Sequence, residues 1–81
     1  MLTQLTIDGL NRRMAKSEEK YGPIRSQAEA IGALKLEVWE VMEAMHERQD
    51  EWVYEEMLDV ANVAIRWAQR IREETAKCSV A

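Results

Sequence analysis

A chain of 81 residues has room for one domain, residues 1–81, and its mix of 47% apolar and 32% charged residues belongs to folded rather than disordered proteins. A net charge of −4 argues against a protein that grips a nucleic-acid backbone, which takes clustered Lys and Arg. The one cysteine, Cys78, cannot close an internal disulfide, no apolar run approaches the roughly 18 residues of a membrane span, and MLTQLTIDGLNRRM lacks a signal-peptide core. The expectation is a cytoplasmic protein with no membrane and no nucleic-acid partner.

Phe is absent, Gly and Pro total four, and Leu, Ile, Val, Met and Ala are plentiful, a balance that favours an all-α fold. Gly22-Pro23 is the one strong break. It ends a first helix predicted over residues 6–20, whose Ile7, Leu10 and Met14 recur at helical spacing while Arg12, Arg13 and Lys16 read as a solvated face. Ser26-Gln27-Ala28-Glu29 has the form of a capping box and opens a second helix, residues 26–48, with Gly32 inside it at a cost of about 1 kcal/mol against Ala. Gln49-Asp50 interrupts next, Asp50 serving as N-cap to a third helix, residues 51–75, with a frayed tail beyond. So short a turn makes the second and third helices antiparallel neighbours.

At about 100° per residue, Ile31, Leu34, Val38, Val41, Met42 and Met45 form one arc of the second helix, with Glu37 at its edge and Glu40 further round. Val53, Met57, Val60, Ala61, Ala64, Trp67, Ala68 and Ile71 form the arc of the third. Glu56 falls inside that stripe and Asp59 lies beside it, on the side of Trp52, Arg66 and Arg70. A carboxylate in an apolar stripe is costly unless its charge is compensated. In an antiparallel hairpin, level residues are equidistant from the turn. Glu37 with Asp59 and Glu40 with Glu56 are both centred on residue 48, within a residue or two of the turn inferred from Gln49-Asp50. Four carboxylates at one level repel one another, and a hard divalent cation relieves the conflict; an all-oxygen set points to magnesium, with manganese as substitute.

The pattern Glu37-Val-Trp-Glu40 followed by Glu56-Met-Leu-Asp59, ExxE…ExxD on consecutive helices, resembles the MazG-like all-α nucleoside triphosphate pyrophosphohydrolases, over a stretch from Tyr21-Gly22-Pro23 to Trp67. The resemblance implies that Glu37, Glu40, Glu56 and Asp59 hold magnesium, that a nucleoside triphosphate is cut to monophosphate and pyrophosphate, and that Glu40 orients or deprotonates the water. Family members generally continue into a further helix whose basic residues contact phosphate. Here Arg66 and Arg70 are the expected substitutes, Asn62 a candidate for orienting a ligand or binding substrate, and Trp52 or Trp67 for stacking on a base.

So small a chain needs assembly. Leu36, Trp39, Leu58 and Ile65 point away from the hairpin seam and are expected to form an interface, making a homodimeric or homotetrameric four-helix bundle. Two rivals stand beside this reading. Glu43-Ala-Met-His46 has the Glu-x-x-His spacing of di-iron bundles, although it lies opposite the apolar arc. A non-catalytic helical interaction or regulatory module would use the same apolar faces and would not need level carboxylates.

Overall fold

The computed structural model describes the backbone of residues 1–80 and the side chains of residues 1–76, so the Cys78 thiol lies outside the described residues. Among them are three helices and no strand: α1 (Gln4–Tyr21), α2 (Gln27–His46) and α3 (Asp50–Val80). None is long and apolar enough to cross a membrane. α1 starts two residues earlier than expected because Thr3 caps it, its hydroxyl accepting from the Thr6 N–H at 3.2 Å. Gly22 ends it at φ 72°, ψ −167°, a region glycine alone enters without strain. The Ser26 hydroxyl accepts from the Glu29 N–H at 3.1 Å, as in a capping box, but the Glu29 carboxylate reaches back to the Arg25 N–H rather than to that of Ser26.

α2 stops at His46, two residues short of expectation, because Arg48 turns left-handed at φ 57° and the Gln49 N–H returns to the Ala44 carbonyl. Asp50 is the first helical residue of α3 rather than its cap, and with Glu51 it faces the positive end of the helix dipole. No Gly or Pro follows, and α3 runs on to Val80, past the expected end at residue 75. Arg48 stands where helices usually set Gly. Arg48→Gly is expected to stabilise the fold by about 0.5–1 kcal/mol, read from the midpoint of urea unfolding at unchanged slope.

α2 and α1 both pack on α3 and do not approach each other. The side chains of α2 nearest α3 are small: Ala30, Val41 and Ala44 are buried, with Ala33 and Leu34 partly so. The predicted arc is therefore rotated from the one used. Ile31, Val38, Met42 and Met45 are exposed, and Glu37 lies within the buried stripe instead of at its edge. Small residues let two backbones close up, which leaves the bulky ones on the adjacent face. Ile24, Ala30 and Val63 centre the core, with Trp67 packed on them as a core residue.

α1 covers the other side of α3. A Cβ on Gly9 would stand 3.1 Å from Leu58 Cδ1, so the two helices meet closely there. Leu58 is thereby buried and Ile65 half-buried, so neither joins Leu36 and Trp39 in an exposed patch. Polar links complete the attachment: Asn62 Nδ2 donates to Ser17 Oγ at 2.9 Å, and Arg66 donates to Glu18 at 3.0 Å and to the Gly22 carbonyl at 2.6 Å.

The result is elongated, 50 × 29 × 24 Å, with a radius of gyration of 14.3 Å against about 11.7 Å for a compact domain of this length. Its accessible surface is 6378 Å², against roughly 5000 Å² for a compact monomer of this mass. Ile31, Val38, Met42 and Met45 of α2 and Met57 and Ile71 of α3 are each about half exposed.

Candidate metal centre

Antiparallel pairing brings the ExxE of α2 level with the ExxD of α3. Carboxylate oxygens of Glu37, Glu56 and Asp59 lie within 4.8 Å of one another, close to the span of roughly 4.2 Å across a six-oxygen magnesium shell. The Glu40 carboxyl is within hydrogen-bonding reach of both Glu37 and Glu56. All four side chains are half-buried.

Two of the acceptors are stranded. Glu37 Oε2 and Glu56 Oε2 are shielded from water and meet no N–H or O–H donor, so Glu40 can satisfy either only by sharing a proton with it. The other oxygen of Glu56 accepts from Trp52 Nε1 at 3.1 Å, which turns Oε2 inward. Desolvation, and then the charge of Asp59, raises Glu37 above its ordinary value; the Glu40 hydrogen bond opposes this and the Glu56 charge adds to it. Glu56 is raised by desolvation and by Glu40, with Trp52 pulling the other way. Anions held without compensation, all through oxygen, fit a hard divalent cation.

Against this stands a residue the sequence reading assigned to solvent. Arg13 of α1 reaches over α3, its Nε donating to Asp59 Oδ1 at 2.9 Å and its Nη2 pairing with Glu55. Burial lowers its pKa, but these two carboxylates outweigh burial and leave it raised. Nothing in the pattern of α1 taken alone reveals which way Arg13 faces; only the docking of α1 on α3 aims it at Asp59.

The expected substrate-side residues are engaged within the chain. Arg66 is buried and spans Glu18 and the Gly22 carbonyl, and Arg70 pairs with Glu74 at 3.1 Å one turn on. Asn62 is buried beside Ser17, its Oδ1 without a donor. Trp52 borders an open groove with Trp39, Met42 and His46 near the hairpin turn. Glu43 and His46 are both exposed, Glu43 accepting from Trp39 Nε1 at 2.8 Å, and among the described residues neither joins a cluster of metal-ligating side chains. Comparison with known proteins finds no matching family model, no similar characterised protein and no similar solved structure.

Proposed function

We propose that the chain is a magnesium-dependent nucleoside triphosphate pyrophosphohydrolase that works as a homo-oligomer. One observation carries this reading: the carboxylates of Glu37, Glu56 and Asp59 converge, and two of their buried oxygens lack any donor. Magnesium bound there would neutralise the triphosphate and acidify a coordinated water. Glu37, Glu56 and Asp59 would be its ligands, the Trp52 N–H fixing the orientation of Glu56. Glu40, within reach of two of them, would accept the proton of a water attacking the α-phosphorus as the bond to the pyrophosphate oxygen breaks. The products would be the monophosphate and pyrophosphate.

Assembly is supported by area. A surface more than 1000 Å² above that of a compact monomer is enough for a specific interface, which takes roughly 800 Å² from each partner. A second hairpin packed on the exposed apolar side chains Ile31, Val38, Met42 and Met45 of α2 would complete a four-helix bundle.

The test is pyrophosphate release from a panel of canonical, deoxy and damaged nucleoside triphosphates with magnesium, comparing the parent with Glu40→Gln and Glu56→Gln. Release by the parent, falling about a hundredfold or more in either variant, is expected. Equal and negligible release from all three would favour the non-catalytic module, a reading that draws support from the hold of Arg13 on Asp59.

A further inference from the structure

α1 carries Arg12, Arg13, Lys16 and Lys20, four of the chain's 11 cationic side chains within nine residues. At about 100° per residue they fall on one stripe roughly 100° wide. That stripe borders the face of α1 that packs on α3, and it overhangs Asp59. Two adjoining surface grooves lie along it. Arg12, Arg13, Lys16, Glu19 and Asp59 line the first; Arg13, Lys16, Glu19, Lys20 and Asp59 line the second. Asp59 is thus shared between the carboxylate cluster and a cation-lined groove.

The cations of that groove are unequally committed. Arg13 is taken by Asp59 and Glu55. Arg12 and Lys16 pair with no carboxylate among the described residues, and Lys20 rests over the Tyr21 ring at 5.1 Å. In a chain of net charge −4, unspent cations gathered beside a carboxylate cluster mark a place for an anion. Arg66 and Arg70, by contrast, are both engaged inside the chain. Ammonium and guanidinium groups recognise phosphate oxygens strongly, and a chain of phosphates extends along a groove as a single phosphate does not.

We infer that the Arg12–Lys16–Lys20 stripe of α1 is a polyphosphate-binding surface, holding the phosphate chain of a nucleotide whose metal-binding end lies at Asp59. The inference rests on the hydrolase reading for the nucleotide but not for the phosphate. Arg13, already paired with Asp59 and Glu55, is not counted among the phosphate contacts.

The probe is inorganic tripolyphosphate, titrated calorimetrically into the full chain with magnesium, for the parent, for Arg12→Ala/Lys16→Ala, and for Arg72→Ala as an exposed control off the groove. Ala is the strongest helix former, so the double variant keeps α1, and circular dichroism checks this. The double variant should bind tripolyphosphate at least about tenfold more weakly, the control like the parent, and magnesium titrated alone should bind parent and variants equally. In hydrolysis, KM should rise with kcat little changed. Unchanged tripolyphosphate affinity in the double variant, or none in the parent, overturns the inference whatever the hydrolysis assay gives. A parent that binds tripolyphosphate through the stripe yet hydrolyses no nucleotide refutes the hydrolase reading and leaves the surface standing.

Discussion

Glu56→Gln is expected to make the metal-free protein more stable and the magnesium-loaded protein less stable than the parent. In EDTA the substitution replaces a shielded carboxylate oxygen that has no donor with an amide that supplies one, and it removes the charge facing Glu40 and Asp59. A gain on the order of 1 kcal/mol follows, or about 4–8 °C in Tm for a domain this small. With magnesium at a hundred times its Kd the parent gains about 2.7 kcal/mol by mass action, and the variant, short of a ligand, gains much less. The crossing of the two melting curves is the signature, because a purely structural glutamate moves both conditions alike.

The same physics fixes the sign of the pH dependence. Glu37 and Glu56 both sit above their ordinary value of 4.5 in the folded chain, so the fold binds their protons more tightly than the unfolded chain does. Stability of the metal-free protein should therefore rise as pH falls from neutrality through the raised values, levelling near the unfolded value. Glu56→Gln should flatten part of that slope, and saturating magnesium most of it. Stability that falls steadily on acidification over this range would contradict the assignment of two uncompensated carboxylates.

The second large effect concerns assembly. Met42→Glu places a charge in the middle of the exposed apolar face, where Met42 is 57% accessible. If a second hairpin covers that face, the buried charge should cost roughly 3 kcal/mol or more, about a hundredfold in the dissociation constant. Light scattering should give the parent a mass that is a multiple of 9.4 kDa and the variant a mass near 9.4 kDa at the same concentration. A parent that is a stable monomer at tens of micromolar would refute the oligomer.

Much of this arrangement is legible in the residues. Gly22-Pro23, the Ser26 box and Gln49-Asp50 mark the breaks because backbone geometry and capping are local, and the elements begin and end within a few residues of those marks, apart from the C-terminus of α3. The meeting of Glu37 with Asp59 and of Glu40 with Glu56 is also legible, since a short turn leaves an antiparallel pair only one register. The rotation of α2 is not. Ile31, Val38, Met42 and Met45 outweigh Ala30, Ala33 and Ala44 in any reading by hydrophobicity, yet it is the alanines that fit against α3. A helix that serves two apolar faces sums both into one arc, and the larger side chains dominate the sum. The docking of α1 was hidden for a different reason. It depends on the Gly9–Leu58 approach and on Asn62 and Arg66, whose buried polar links carry no periodic signal.

Arg13 belongs to a helix that, among the described helices, packs on α3 and not on α2, and its Nε closes on Oδ1 of Asp59. An ion held by Asp59 would set its charge beside the Arg13 guanidinium, so seating of that helix and capture of the ion oppose each other, and thermodynamic reciprocity makes the factor the same in both directions. Amide exchange along residues 4–21 should accelerate on magnesium addition, while a covalent tether pinning that segment down should weaken the ion's grip.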